Sequence, residues 1–367
     1  MKATTLLLTA LLTSVSLLAE NMPANDTRIT VIGRTAVNNT DLSFDWTATT
    51  LRIAYAGKTL KMRVSDTGRN YFNVWIDCPT SDTPNYIIAT QGTDTTITLV
   101  PADAPVNKTR RGIHEVTIQK RNEGEQGITT IHEFIADRFV SASPIAERQL
   151  EFIGDSYTCG YGAENSTKTD HFTPETENAA KTYAAIAARY FDADYISIAH
   201  SGMGIARNYA SKYPNWHMPD RYLQTFDLDS TQATRWNTTQ LDFHPAMTII
   251  YLGANDFSTA MQPQYIPFRN NYLRLLQEIK ANYGQDHPIL CLTTKNHEYL
   301  FTYVRDIVNT CGLSNVYYLG LCPALHNNNN ELGADYHPNY TAHQKIAYTL
   351  IPYISTITGW PLNNEIK

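Results

Sequence analysis

The hydrophobic pattern of this chain changes period near residue 145, and that change limits the folds open to it. Before that point, short runs alternate apolar and polar residues, at 29–32, 51–55, 60–64, 72–76, 96–100 and 114–118. Period-two alternation, broken at short intervals by Gly, Asn, Asp and Pro, predicts an antiparallel β-sandwich. Beyond it, strand-like apolar runs at 149–153, 195–198, 246–252, 288–292 and 316–319 alternate with helical spacing over 179–191, 265–283 and 340–354. That order predicts a parallel sheet covered by helices on both faces, with any active site beyond the C-terminal strand ends. The expected fold class is therefore α/β: a β-sandwich over 22–144, a join at 140–144 (Val-Ser-Ala-Ser-Pro), and a three-layer α/β/α domain over 145–367. The asparagine run 327–330 reads as a solvated loop, and there is no internal repeat.

At 367 residues the chain is longer than one ordinary core holds, which agrees with two domains. Its net charge of −6 argues against nucleic acid or an anionic membrane as partner, whereas a neutral polymer such as a polysaccharide is compatible. Residues 1–19 read as a cleaved export signal: Lys2, then a leucine-rich run too short for a typical span, ending at Ala19. No later run is apolar enough to cross a bilayer, so the mature chain is expected outside the cytoplasm, in the periplasm, at the cell surface or beyond it. Five cysteines (Cys78, Cys159, Cys291, Cys311 and Cys322) form no CxxC pair. That spacing supports neither a zinc ribbon nor a thioredoxin motif and suits core packing, with one or two disulfides open.

The chemistry concentrates where the strands of the second half end. Gly154-Asp155-Ser156 follows the first of these strands and presents a serine at the start of the next element. Alone it is a weak signal, since a polar turn has the same composition. Leu252-Gly253-Ala254-Asn255-Asp256 follows the most hydrophobic strand; Asn255 is a candidate amide donor to an oxyanion, while Asp256 more simply braces the loop. Ser201-Gly202-Met203-Gly204 follows another strand, and either Gly202 or Gly204 is placed to offer a backbone N–H. Asp335-Tyr336-His337-Pro338 supplies a histidine and a carboxylate. The proline favours an extended His337, and in an extended segment Asp335 and His337 share a side. A serine needs a neighbouring imidazole to take its proton, and an imidazole needs a partner to fix its tautomer. These parts point to a serine hydrolase. Metal chemistry fits poorly: Asn296-His297-Glu298 lacks a second histidine four residues on, where Phe301 stands.

Together these blocks resemble the SGNH (GDSL-type) hydrolase superfamily over 149–354. More narrowly, Gly154–Gly162, Ser201–Gly204, Met218-Pro219, Leu252–Phe257 and Asp335–Pro338 resemble carbohydrate esterase family 2, whose N-terminal half is a jelly roll. The resemblance implies removal of acetyl groups from plant polysaccharides such as xylan and mannan or glucomannan, with no metal or organic cofactor. It implies Ser156 as nucleophile and His337 as base. The oxyanion donors would be the Ser156 N–H, a glycine of the 202–204 turn and Asn255. The D-x-H spacing departs from the D-x-x-H of much of the superfamily and matches family 2, some members of which orient the histidine by a backbone carbonyl. Asp335 as third member of a triad therefore competes with a Ser–His dyad. Tyr336 and Trp216 are candidates for a sugar platform, with core packing the alternative for Trp216. The competing functions are a non-catalytic carbohydrate-binding protein and a lipase or thioesterase acting on longer acyl chains.

Overall fold

The computed structural model describes residues 19–104, 112–211, 213–229, 235–236, 242–258, 262–293, 298–322 and 329–363. Residues 1–18 of the expected export signal, His297 and Asn327–Asn328 lie outside the described residues. In the N-terminal half, antiparallel strands form one connected sheet: β1 (Glu20–Pro23), β2 (Thr30–Ile32), β3 (Ala36–Asn38), β4 (Asp41–Phe44), β5 (Thr50–Ala56), β6 (Leu60–Ile76), β7 (Tyr86–Val100), β8 (Ile113–Lys120), β9 (Thr129–Ala136) and β10 (Arg138–Val140). Its alternate residues, among them Leu51, Ile53, Met62, Phe72, Val116 and Phe134, enclose one buried core. The sheet folds over that core because β6 changes partner: Lys61–Asp66 pairs with β9, and Phe72–Ile76 pairs with β8.

The two short strands expected at 60–64 and 72–76 are thus one long strand. Asp66, Gly68 and Asn70 look like a turn in the sequence but form an irregular stretch inside β6. The buried Asp66 carboxylate holds it, accepting from Asn70 Nδ2 (2.8 Å), Thr90 Oγ1 (2.7 Å), Thr129 Oγ1 (2.6 Å) and the Gly68 N–H (3.0 Å). A satisfied buried carboxylate turns an apparent breaker into a pivot.

The second half contains a parallel sheet of β11 (Gln149–Gly154), β12 (Asp194–Ala199), β13 (Met247–Tyr251), β14 (Ile289–Thr293) and β15 (Val316–Gly320), in the order β12-β11-β13-β14-β15. Its helices are α1 (Ser156–Cys159), α2 (Tyr183–Tyr190), α3 (Met218–Arg221), α4 (Ala254–Ser258), α5 (Tyr265–Tyr283), α6 (Glu298–Thr310) and α7 (Tyr340–Thr358). Strand periodicity sends paired neighbours to the same face. Phe152, Ile249 and Leu290 pack with α2 and α7, while Ile153, Ile250 and Cys291 pack with α5 and α6. Three layers result. The order also makes β11 a switch point, since its sequence neighbour β12 lies on one side and β13 on the other; the C-terminal end of such a strand opens into a crevice.

The chain passes between the halves through 141–148, and buried polar contacts tie them together. Trp46 Nε1 donates to Thr225 O (3.0 Å), Arg34 to Gln224 O (3.0 Å), Asn73 Nδ2 to Asn178 Oδ1 (2.9 Å), and the Asp227 N–H to Asp45 Oδ1 (2.9 Å). Among the described residues no helix is long and apolar enough to cross a membrane. Cys78, Cys159, Cys291, Cys311 and Cys322 are all unpaired thiols.

Candidate active site

Ser156 is the first residue of α1, immediately beyond the switch-point strand. Gly154 permits the tight exit: a Cβ there would sit 1.9 Å from Thr158 Oγ1. Asp155 caps the short helix, its Oδ1 accepting the Tyr157 N–H at 3.2 Å. Across the crevice, His337 begins the strand β17 (His337–Pro338), whose partner β16 (Leu332–Gly333) pairs Gly333 with His337. Residues 181 positions apart thereby meet: His337 Nε2 lies 2.9 Å from Ser156 Oγ. They border a cavity of about 260 Å³ shared with Asp155, Tyr157, Tyr209, Asn255 and Tyr336.

The other ring nitrogen faces the main chain. His337 Nδ1 lies 3.2 Å from Ala334 O and 3.1 Å from Asp335 O. Two acceptors at Nδ1 fix its proton there and leave Nε2 as the acceptor for the serine hydroxyl. Tyr161 stacks on the imidazole at 4.0 Å, and Tyr157 meets it edge-on at 5.6 Å. Burial among these rings lowers the His337 pKa from 6.5 to about 4, against the smaller upward pull of the two carbonyls. A histidine whose pKa is lowered stays neutral as pH falls through 6.5 and loses its basic form only as pH falls through the shifted value. The acid limb of kcat/KM is accordingly expected near pH 4, with activity sustained at pH 5.5. A limb centred near 6.5 in a pH–rate profile would contradict this environment.

Asp335 is not where the sequence reading put it. His337 is extended (φ −76°, ψ 160°), as the following proline predicts, but Asp335 and Tyr336 have φ of 50° and 65°. Two left-handed residues end the extended segment before it reaches Asp335, so the alternation argument fails. The Asp335 carboxylate instead accepts from Tyr161 OH (2.7 Å), the Phe172 N–H (3.2 Å) and His171 Nδ1 (3.2 Å). Its carboxylate braces the 171–172 loop, and its backbone carbonyl touches the imidazole.

The two glycines part company. The Gly204 N–H donates to Asn208 Oδ1 at 3.0 Å, whereas the N–H groups of Gly202 and Ser156 donate to no acceptor among the described residues. Gly202, at φ 79°, is tied to the cavity-lining Tyr209, whose N–H donates to Gly202 O at 2.8 Å. Asn255 reaches the pocket, but its Nδ2 already donates to Met203 O (2.9 Å) and Asp155 Oδ2 (3.1 Å). An oxyanion would have to share one of those hydrogens. Burial raises the Asp155 pKa to about 7, despite the Tyr157 N–H. Asp256 braces the neighbouring loop as expected, its carboxylate accepting from the N–H groups of Ile205, Ala206 and Arg207 at 2.7–2.9 Å.

Of the proposed sugar platform, Tyr336 stands at the cavity mouth, 62% exposed. Trp216 does not. It is buried, its ring 3.7 Å from the Arg221 guanidinium carbon and edge-on to Tyr213 at 5.7 Å. The sequence reading missed Tyr209, which is 53% exposed and lines the same cavity. With 23 tyrosines in the chain, no local pattern singled it out. A larger cleft of about 1030 Å³, bounded by Arg52, Asp194, Arg189, Tyr340 and Tyr348, holds none of the candidate residues.

One group among the described residues, Glu123, Cys159 and Glu177, gathers three potential metal-ligand atoms within 4.8 Å of one another. The three side chains are bonded within the protein, although Glu177 Oε1 is buried without a hydrogen-bond partner among the described residues. Glu123 Oε2 accepts the Ser201 N–H (2.5 Å) and the Cys159 thiol (3.5 Å), Glu177 Oε2 accepts the Glu123 N–H (3.2 Å), and burial holds the Cys159 thiol protonated. The trio is a hydrogen-bonded cluster.

A carbohydrate esterase 2 N-terminal model matches residues 31–144, and a GDSL-like lipase/acylhydrolase model matches 152–345. A family two carbohydrate esterase from Clostridium thermocellum, solved in complex with cellohexaose, superposes with a TM-score of 0.80 at 29% identity over 91% of this chain and 100% of that one. The chain belongs to carbohydrate esterase family 2. Family 2 proteins are carboxylic ester hydrolases, and the serine–histidine pair of this family 2 esterase sits in the GDSL-like half. The cellulase/esterase CelE of Acetivibrio thermocellus is 30% identical over 324 residues, which span 86% of this family 2 chain and 38% of that protein. An acetylxylan esterase / glucomannan deacetylase of Cellvibrio japonicus is 26% identical over 92% of this chain and 91% of its own length.

Proposed function

We propose that this esterase removes O-acetyl groups from plant polysaccharides of the xylan and glucomannan type by a Ser156–His337 acyl-enzyme mechanism. The 2.9 Å approach of His337 Nε2 to Ser156 Oγ, with Nδ1 facing two carbonyls, carries the reading. His337 takes the hydroxyl proton as Ser156 Oγ attacks the acetyl carbonyl. The negative charge that develops on the carbonyl oxygen meets the N–H groups of Ser156 and Gly202, with one amide hydrogen of Asn255 shared as third donor. The imidazolium returns the proton to the departing sugar hydroxyl, leaving acetyl-Ser156. Water activated by the same nitrogen then releases acetate. The dipoles of Ala334 O and Asp335 O stabilise the transient imidazolium, the task a carboxylate performs in a triad. A cavity of about 260 Å³ suits an acetyl group better than a long acyl chain. We further propose that residues 1–19 direct export, that 22–144 and 145–367 are the two domains, and that the polymer is met outside the cytoplasm.

Tyr209 and Tyr336 would hold the sugar, their exposed rings offering flat apolar faces to sugar C–H groups. Changing either to alanine is expected to raise KM for acetylated polymer about five- to tenfold and to leave 4-nitrophenyl acetate nearly unaffected; equal effects on both substrates would remove them from the sugar site. The reaction itself is tested by acetate release from acetylated xylan and glucomannan, beside a chain-length series of 4-nitrophenyl esters. A preference for butyrate or longer with no acetate from either polymer would overturn the proposal.

A further inference from the structure

We propose that Glu123, on the turn that follows β8 of the N-terminal sheet, is a positioning residue for the oxyanion donors, so that the N-terminal half completes the catalytic site. The inference rests on the mechanism above. Glu123 is 3% exposed, and a single carboxylate oxygen of it reaches two segments of the catalytic half. Oε2 accepts the Ser201 N–H at 2.5 Å and the Cys159 thiol at 3.5 Å. Ser201 immediately precedes Gly202, whose N–H has no acceptor among the described residues. Cys159 ends α1, whose first residue Ser156 supplies the other proposed donor. One atom from the N-terminal half therefore sets the spacing between the two backbone segments that face the developing charge.

The turn bearing Glu123 is itself anchored. Lys120 Nζ, fully buried, donates to Asn122 O (2.6 Å) and Glu123 O (2.9 Å), and the Glu123 N–H donates to Glu177 Oε2 (3.2 Å). A second carboxylate of the same turn grips the residue before Ser201: Glu125 Oε2 lies 3.3 Å from His200 Nε2, while His200 Nδ1 meets Asp227 at 2.5 Å. Burial disfavours the His200 cation, but Asp227, Glu123 and Glu125 outweigh it and hold the pKa up at about 10. The His200–Ser201 segment is thus clamped from the N-terminal half at two successive residues. Oxyanion donors act only in the transition state, and misplacing one by ~1 Å costs up to ~10²-fold in rate.

The test compares Glu123→Gln, which keeps a carbonyl acceptor for the Ser201 N–H, with Glu123→Met, which keeps length and removes it. Turnover of 4-nitrophenyl acetate is normalised to sites titrated with a phosphonate ester, so that misfolded molecules are not counted. E123M is expected to lower kcat about 10- to 100-fold with KM within about threefold, and E123Q to stay within about threefold of wild type. Amide hydrogen exchange over residues 199–204 should quicken in E123M and remain near wild type in E123Q. Wild-type kcat per titrated site in E123M, a loss in E123Q equal to that in E123M, or unchanged exchange in E123M would each overturn the proposal. Should the wild type itself release no acetate, the mechanism fails instead, and the exchange measurement, which needs no turnover, still decides whether Glu123 holds the turn.

Discussion

Ser156→Ala is expected to lower acetate release from acetylated xylan by about 10⁴-fold or more while leaving the fold intact. The size of the effect follows from what the hydroxyl does. In the proposed mechanism Oγ is the one atom that forms a bond to the acetyl carbon, and it loses its proton to His337 Nε2, 2.9 Å away. The proposed oxyanion donors and sugar site would survive the substitution, so the residual rate would reflect binding and electrostatics alone. Stability should change little, because Asp155, not Ser156, caps α1, and Ala is a good residue at a helix start. Steady-state acetate release and thermal unfolding of the two proteins check both halves of the expectation. A variant that keeps more than about 1% of wild-type kcat would mean that another group, or a directly activated water, performs the attack.

What could be read from the sequence, and what could not, divides along local and non-local information. The parallel strands were legible because each is a short, mainly apolar run, and α5 because its apolar residues keep helical spacing over Tyr265–Tyr283. The strand β6 was cut in two because Asp66, Gly68 and Asn70 are turn residues by composition; only Thr90 and Thr129, distant in sequence, reveal that the carboxylate is satisfied inside a strand. Ser156 and His337 could be named from their motifs. Gly202 and Gly204 look alike in the sequence; what separates them is Asn208, whose Oδ1 accepts the Gly204 N–H. Nothing in the local sequence of Tyr161 showed that its ring would lie on His337. Asp335 was misplaced for a more specific reason: proline restrains the residue before it, and the restraint does not carry back through Tyr336.

His337→Ala should match Ser156→Ala in the size of its loss, about 10⁴-fold, because it removes both the base for attack and the acid for the departing hydroxyl. Asp335→Ala should not. When a triad carboxylate holds the tautomer, losing it costs on the order of 10⁴ in kcat. Here Ala334 O and Asp335 O meet Nδ1, and a backbone carbonyl survives replacement of its own side chain. Asp335→Ala removes the bonds from Tyr161, His171 and the Phe172 N–H, which loosens the loop beside the imidazole and is expected to lower kcat less than about tenfold. The carboxylate lies close enough to the imidazole to favour its charged form slightly, so its removal shifts the His337 pKa downward and, if anything, extends activity to lower pH. Measured together across pH 3.5–8, the two variants separate the mechanisms. A dyad gives a dead His337 variant and a working Asp335 variant with an unmoved or lower acid limb. Equal losses would restore Asp335 to a triad and require the segment 334–337 to rearrange during turnover, because in its resting form the peptide backbone already stands where the carboxylate would have to be.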